Sequence, residues 1–413
     1  MTRVQVPSRG LALASALICI ATLGCAQPLP DRPGLGDSTE AGNEGVGEAD
    51  SDSTGEDDPT GPDLPPPDLP SEPPSCAIAQ LDAIAPAWVI EPESPDASVE
   101  PVNGLAASDD RVFVGLSRED GTSQAIEARD LDGALVWRTE LAESPSAIAW
   151  DGTHLYFGDA PTRRMDADGQ VDPDWHAGLE FGAPRRTWVD GSDVVRTGWV
   201  EEPDPEEGIG SGWTWIEGTS KAGGWSFWAE LPLGQWVSAM TPWTGGGYLL
   251  AVKPNSLGLR LTGIEGAPYA TALSGLSGQP HAVALHAGAD SVLVGGYSRE
   301  GVSPNERYSA WTRVVAPDGA TVHAHELDPC LGASTWMHAL ERVDERLIAL
   351  VGVDDGTELG APLLLELDAD GAVLDVRALS ELPAGSRVHR LAVSATAVFV
   401  AGLADESFVA RIE

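Results

Sequence analysis

The 413-residue chain lacks the periodicity of helices. Beyond the first 25 residues, no stretch carries apolar residues at helical spacing over three turns. Instead, Gly (47) and Pro (32) are plentiful, Trp reaches 14, and Val-rich runs of five to seven residues lie between turn clusters. This inventory excludes a helical fold and predicts one large all-β domain.

Basic residues are also scarce. The chain has 24 Lys and Arg against 64 Asp and Glu, a formal net charge of −40, and residues 76–413 carry −30 of it. No basic patch or Lys/Arg stripe interrupts this acid excess, so the protein repels phosphate groups. Nucleic acid is therefore not expected as a partner.

Familiar catalytic and metal-binding motifs are missing from the sequence. It contains no G-x-S-x-G, no Ser/His/Asp or Cys/His set, and no H-E-x-x-H among its eight His. We therefore predict no catalytic residue and no metal site. Two alternatives stay open: a metal held by His323, His325 and His338, and calcium at the Asp-x-Asp-Gly turns, which turn chemistry explains equally well.

The N-terminus, MTRVQVPSRGLALASALICIATLGCAQPLP, has two Arg and then an apolar run that is too short to span a bilayer. A Cys directly after such a run and a small residue resembles a bacterial lipoprotein signal. The resemblance implies a signal peptide over 1–24 and acylation of Cys25 with chains such as palmitate. Ala26 rather than Asp follows, which implies an outer-membrane location. Ordinary secretion with cleavage near Cys25 is the alternative.

The segment 25–75 is predicted to be a disordered acidic linker after the acylated Cys. Residues 26–75 contain no aromatic side chain, and their thirteen acids face one Arg. Too little apolar surface is present to offset the entropy of ordering. We therefore predict that the segment is a tether that holds a folded domain, residues 76–413, away from the membrane.

The chain has only four cysteines. Cys19 lies in the predicted signal and Cys25 is the predicted lipid site, which leaves Cys76 and Cys330. One remaining pair in an exported protein predicts a disulfide, here between the start of the folded domain and the turn-like LDPCLG. Two free thiols or metal ligation are the alternatives.

From residue 104 onwards the sequence repeats an apolar strand, a D/G turn and a second apolar strand that ends near Gly. Seven copies occur, 40 to 57 residues apart, from GLAASDDRVFVGLS to VHRLAVSATAVFVAGLA. Each of the best copies is followed by a second hairpin that turns at Asp-x-Asp-Gly or Pro-Asp-Gly, as in AIEARDLDGALVWRTEL. These spacings predict seven four-stranded blades of a β-propeller.

After the seventh copy comes one more strand, SFVARIE, and the strand that would pair with it in a second hairpin is missing. An unmatched strand, APAWVIEP (residues 85–92), precedes the first copy, and its Trp88 aligns with Trp137 of the first blade. We therefore predict that 85–92 completes the last blade and closes the ring, which removes an exposed edge.

The segment ARDLDGALVW fits the A-x-D…G-x-x-x-W pattern of PQQ-like propeller repeats, and GGYSREG followed by WTRVVAPDG is similar to related bacterial repeats. The resemblance implies a fold. Quinoprotein dehydrogenases typically use eight blades and two adjacent cysteines, whereas this chain has seven repeats and no Cys-Cys. No cofactor is therefore expected.

Tryptophan is unevenly distributed, with eight of fourteen between 188 and 243. Alternation along their strands puts Trp213 with Trp215, and Trp225 with Phe227, on common faces. These four residues are a candidate aromatic platform for a sugar or peptide. The alternative is that they fill the core between blades.

The function favoured by these features is a lipid-anchored propeller that binds a protein or glycan and acts as a monomer. A glycan-active or other hydrolytic enzyme, with acids in a central funnel, is one alternative. An envelope assembly scaffold is another. Two central carboxylates with raised pKa would favour the enzyme, and a continuous apolar or aromatic groove would favour binding.

Overall fold

The structure is a computed structural model that describes residues 81–92, 102–117, 124–142, 144–145, 148–158, 161–177, 184–189, 192–202, 211–231, 235–244, 246–254, 258–264, 270–301, 306–327, 334–354, 362–383, 385–404 and 406–412. The predicted signal peptide, the linker and all four cysteines lie outside these residues. The lipid site at Cys25 and the Cys76–Cys330 disulfide therefore stay predictions.

The described residues form 29 strands and no helix, so no helix in this part of the chain is able to span a membrane.

The N-terminal strands are β1 (Asp82–Ile84) and β2 (Pro86–Ile90). Blade 1 contains β3 (Val102–Ala107), β4 (Arg111–Ser117), β5 (Gln124–Asp130) and β6 (Leu135–Glu140). Blade 2 contains β7 (Ala149–Trp150), β8 (His154–Phe157), β9 (Thr162–Asp166) and β10 (Val171–Ala177). Blade 3 contains β11 (Pro184–Val189), β12 (Asp193–Glu202), β13 (Ser211–Ser220) and β14 (Trp225–Glu230). Blade 4 contains β15 (Gln235–Pro242), β16 (Tyr248–Pro254), β17 (Arg260–Ile264) and β18 (Ala270–Ala272). Blade 5 contains β19 (Gln279–Ala287), β20 (Val292–Glu300), β21 (Arg307–Val315) and β22 (Thr321–Glu326). Blade 6 contains β23 (Ser334–Val343), β24 (Arg346–Asp354), β25 (Leu363–Leu367) and β26 (Val373–Leu379). Blade 7 contains β27 (Arg387–Val393), β28 (Val398–Leu403) and β29 (Ser407–Ile412).

Each blade is an antiparallel sheet in which consecutive strands are neighbours. The first strands lie at the centre, where β27 contacts β3, β3 contacts β7, and β15, β19, β23 and β27 contact one another in turn. The sequence prediction of an all-β, seven-bladed β-propeller is confirmed.

The N-terminal strand closes the ring, as the sequence predicts. Strand β2 pairs antiparallel with β29, with Trp88 opposite Arg411 and Ile90 opposite Val409. The last blade is therefore completed by a segment about 320 residues upstream in the chain. Since β29 would otherwise present unpaired N–H and C=O groups, this pairing removes an edge that invites association with other chains.

Strand β1 makes a second connection that the sequence does not reveal. It pairs in parallel with β26, the outer strand of blade 6, with Asp82 opposite Arg377 and Ile84 opposite Leu379. Sheet order in blade 6 is thus β1-β26-β25-β24-β23. Blade 6 and blade 7 are joined along their outer edges by one N-terminal segment.

The core residues that the structure describes form seven apolar clusters, each lying between two neighbouring blades. The cluster between blades 7 and 1, for example, joins Phe399 and Val409 to Val112 and Leu116. Each blade is a wedge that buries both of its faces, so stability depends on having every neighbour in place.

Two outer-strand tryptophans bind the turn of the next blade, from blade 7 to blade 1 and from blade 1 to blade 2. Trp88 Nε1 donates to the Leu131 carbonyl of blade 1 at 2.7 Å, and Trp137 Nε1 donates to the Ala167 carbonyl of blade 2 at 2.8 Å. A side chain at Gly133 would meet the Trp88 ring, and its φ of +85° is a conformation that Gly adopts readily. The equivalence of Trp88 and Trp137 is confirmed, and the Gly and Trp of the repeat pattern meet between blades.

Candidate binding site in the central channel

A central channel runs between the first strands of the blades. It encloses a cavity of about 410 Å³ and is lined from every blade, by residues of β3, β11, β15, β19, β23 and β27 and by Ile148 just before β7. The polar members of this lining are Thr187, Trp188, Thr241, His286, His338, Glu341, His389 and Arg390.

Backbone bulges set which side chains line the channel. In blade 6, Met337 pairs with Val351 and Ala339 with Leu350, which leaves His338 as an extra residue on the first strand. In blade 7, His389 is the extra residue in the same way. A bulge kinks its strand and re-aims the inserted side chain. The two histidines therefore occupy equivalent positions in neighbouring blades.

In blades 6 and 7, the Gly that ends the second strand lies beside this bulge. A side chain at Gly352 would overlap the Trp336 ring and crowd His338 Nε2, and one at Gly402 would overlap the Arg387 carbonyl. The recurring Gly of the sequence repeat is thus a steric requirement of the bulged first strand.

The channel histidines are held neutral. Burial lowers the pKa of His338 to about 4, with nearby His389 and Arg390 adding to the effect, and burial and Arg390 also lower the pKa of His389. His338 Nε2 accepts a hydrogen bond from Trp336 Nε1, so its proton lies on Nδ1. Burial lowers the pKa of His286 to about 4, and its Nε2 donates to the Leu340 carbonyl at 3.2 Å.

Charge in the channel is limited to one residue of each sign among the described lining residues, Arg390 and Glu341. Arg390 is surrounded by protein yet exposed to channel solvent, and burial lowers its pKa. Glycoside hydrolysis typically needs two carboxylates, and these lining residues supply one. Their hydrogen-bonding groups suit recognition of a polar ligand.

A continuous series of aromatic rings runs from the first strand of blade 5 across neighbouring strand ends to the channel. We call His281, Tyr297, Tyr308, Trp336 and His338 the aromatic row. His281 stacks on Tyr297 at 5.1 Å between centroids with an interplanar angle of 12°. The next steps are 5.9, 6.0 and 5.5 Å, ending at the channel-lining His338. All five side chains are partly exposed.

Strand ends bring the aromatic row together. Tyr297 lies near the end of β20, Tyr308 near the start of β21, and Trp336 near the start of β23 in the next blade. Two hydrogen bonds fix the blades here: the Tyr308 N–H donates to Ser334 Oγ at 2.7 Å, and the Ala310 N–H donates to Thr335 Oγ1 at 3.1 Å. Sequence reasoning missed this row because its members are spread over 58 residues. The one local signal was the Tyr after Gly-Gly in GGYSREG.

One of the four candidate platform residues in blade 3 lies in the core and not on the surface. Trp215 is 2% exposed and its ring lies across Gly198 on the neighbouring strand, so this residue belongs to the core rather than to a ligand surface. Phe227 is half-buried and packs on Tyr248 at 5.1 Å. Trp213 pairs with Val200 and Trp225 with Thr219 through their backbones, and their side chains lie outside the description.

The alternative metal sites do not assemble among the described residues. His323 and His325 lie stacked on β22, the outer strand of blade 5, whereas His338 lines the central channel. No group of three or more His, Cys, Asp or Glu in this part of the chain is arranged to hold a metal ion. In the Asp-x-Asp-Gly turns, Asp130 and Asp166 accept backbone N–H groups of their own turns.

No protein-family model and no curated protein matches the chain. Among solved structures, the WD40 domain of Neurospora crassa Pan2 matches with a TM-score of 0.51 and 12% identity, over 80% of this chain and 94% of that one. The WD40 domain of Toxoplasma gondii coronin matches with a TM-score of 0.52 and 10% identity, over 80% and 88%. BamB from Moraxella catarrhalis covers 79% and 97% at 14% identity, with a TM-score of only 0.42. At these identities the likeness to the two WD40 domains shows the propeller fold alone.

Proposed function

We propose that this chain is a non-catalytic binding or scaffold module of the bacterial cell envelope. The observation that carries the proposal is the aromatic row, because five partly exposed rings form one continuous surface that ends in the channel. Aromatic surface beside hydrogen-bonding groups is suited to a glycan or to a protein segment.

Binding fits the channel better than catalysis does. A hydrolytic enzyme would need an acid and a base whose pKa values are pushed apart around the reacting bond. Glu341 is the one carboxylate among the described lining residues, and the pKa values of the nearby histidines are lowered, which keeps them uncharged at neutral pH. No observation on the described residues favours the enzyme alternative.

The subcellular location in this proposal rests on the sequence alone. Acylation of Cys25 would anchor the module in the outer membrane, and the acidic linker 25–75 would hold the propeller away from the lipid. We expect Cys25→Ser to leave the protein soluble in the periplasm or medium after fractionation. A variant that still sediments with outer membrane without detergent contradicts the anchor.

The binding proposal is tested by replacing one ring. Wild-type protein, Tyr297→Leu and Leu374→Ala are applied to a glycan array and used for pull-down from envelope extracts. Leu374 is 65% exposed on the outer strand of blade 6, away from the row, and serves as the matched surface control. We expect the Tyr297 variant to bind about tenfold more weakly and the control to bind like wild type.

Equal binding by all three proteins would remove the aromatic row from the proposal. Ligands lost only with Leu374→Ala would instead indicate that the outer strands are the binding surface. A glycan ligand and an envelope protein partner are separated by which of the two assays responds.

A further inference from the structure

The end of the aromatic row at His281 lies beside two cationic side chains, Lys253 and Arg299, in a strongly acidic protein. The chain has only two lysines, Lys221 and Lys253. Lys221 Nζ lies 3.0 Å from a carboxylate oxygen of Asp151. Lys253 Nζ lies 2.5 Å from His281 Nε2, and no described carboxylate pairs with it. Lys221 is therefore ion-paired, whereas Lys253 has no carboxylate partner among the described residues.

Arg299 adds a second cation whose hydrogen bonds are incomplete. Its Nη2 donates to Gln279 Oε1 at 3.0 Å, and its Nη1 lies 3.6 Å from Glu306 Oε1. Glu306 also accepts a hydrogen bond from the Tyr308 hydroxyl at 2.7 Å, so this carboxylate is shared. Arg299 Nε is buried and finds no acceptor among the described residues. Such a buried donor costs free energy until an acceptor arrives.

The charges of Lys253 and Arg299 repel each other and disfavour protonation of His281. Burial and the charge of Arg299 lower the pKa of Lys253, while burial, Lys253 and Arg299 together lower the pKa of His281 to about 4. Glu306 is the acid that faces this cluster, and it is occupied by Arg299 and Tyr308. A bound anion would relieve the repulsion that lowers both pKa values.

We propose that this end of the aromatic row binds the carboxylate of an acidic saccharide, between Lys253, His281 and Arg299. The inference rests on the proposed binding function and names its ligand class. A carboxylate supplies the anionic partner that Lys253 lacks among the described residues, and it gives Arg299 a second one beside the shared Glu306. Tyr297 and Tyr308 supply apolar ring surface together with hydroxyl groups, which suits a hydroxylated sugar ring better than a wholly apolar ligand.

The experiment compares tetragalacturonic acid with its methyl ester, which has the same rings and no charge. Titration calorimetry on the full protein should show binding of the acid and at least about tenfold weaker binding of the ester, since a charge-assisted hydrogen bond is lost. Lys253→Gln should weaken binding of the acid to a similar extent. Lys221→Gln removes the other lysine and should leave binding unchanged.

Lys253→Arg should retain most of the affinity, because it keeps the charge, and added salt should weaken acid binding in wild type. If Lys253→Gln fails to fold, Arg299→Gln provides the same comparison. Equal binding of acid and ester, or unchanged binding by Lys253→Gln, overturns the inference.

Failure of this inference and failure of the binding function are distinguishable. If the acid does not bind but Tyr297→Leu still abolishes an array or envelope ligand, the binding function stands and the ligand is not an acidic saccharide. If Tyr297→Leu changes nothing and the acid does not bind, both proposals fail.

Discussion

Blades 3 and 5 each bury one tryptophan across a Gly of the second strand, Trp215 across Gly198 and Trp311 across Gly296, but blades 5 and 6 also keep aromatic rings partly exposed at their strand ends. Blade 3 is built from four consecutive strands, and its buried Trp215 lies on the third strand across Gly198 of the second. In blades 5 and 6, Tyr297, Tyr308 and Trp336 lie near strand ends and stay partly exposed. The number of aromatic residues in a segment therefore says less about binding than their position along the strand.

The two regions also differ in how they are assembled. The strands of blade 3 are close in sequence, whereas blades 6 and 7 both need the segment that forms β1 and β2. The partly exposed aromatic row thus lies on the side of the ring that is completed by distant chain segments.

The largest expected effect comes from removing that segment. Deleting residues 82–90 should lower the free energy of unfolding by at least about 3–5 kcal/mol, because Trp88 is lost and the edge of β29 is exposed. Deleting 26–75 with Cys76 kept is the control, and thermal melts should show almost no change. Equal melting temperatures for the two deletions would mean that blades 6 and 7 do not depend on the N-terminal strands.

Trp215→Ala in blade 3 should cost about 3–5 kcal/mol, because it empties a buried site across Gly198 and beside the Arg196 guanidinium. Leu374→Ala, at an exposed position, should change stability by less than about 0.5 kcal/mol. Chemical denaturation of both variants measures the difference. A mild effect at Trp215 would show that this ring is not part of the core and would return it to the candidate platform.

Acid should weaken blades 5 to 7 through their histidines. His286 has a pKa of about 4 in the folded protein, lowered mainly by burial, against about 6.5 in an unfolded chain. As the pH falls, the unfolded state binds this proton before the folded state does. Neutral His286 therefore makes its full contribution to folding stability above pH 6.5, and that contribution is lost as the pH falls towards 4. The loss reaches up to about 3 kcal/mol.

His286→Gln keeps a donor for the Leu340 carbonyl and removes the titration. Between pH 6.5 and 4, the wild type should lose stability relative to this variant, as measured by denaturant titration at each pH. Parallel pH profiles for the two proteins would contradict the lowered pKa of His286.

The smallest expected effect on stability is at the aromatic row itself. Tyr297→Leu should change the free energy of unfolding by less than about 1 kcal/mol, since the ring is partly exposed and Leu retains apolar contact. The same substitution should produce the loss of ligand binding described above. A large stability loss without a binding change would place Tyr297 with Trp215, as core, and erase the contrast between the two regions.

The sequence alone determined the features that depend on residues close to one another in the chain. Repeats of apolar strands, Asp-Gly turns that need φ near +80°, and the unmatched strand at 85–92 specify seven blades and the closure of the ring. Such signals are local because a hairpin is set by its own alternation and its own turn residues.

Only the tertiary structure decided which aromatic and titratable residues meet at one surface. Bulges in the first strands place His338 and His389 in the channel, and the ends of β20, β21 and β23 place three rings in one row. The parallel addition of β1 to β26 has no marker in its three residues. These contacts join separate blades, so they follow from how the wedges pack around the axis, and no periodicity along the chain encodes them.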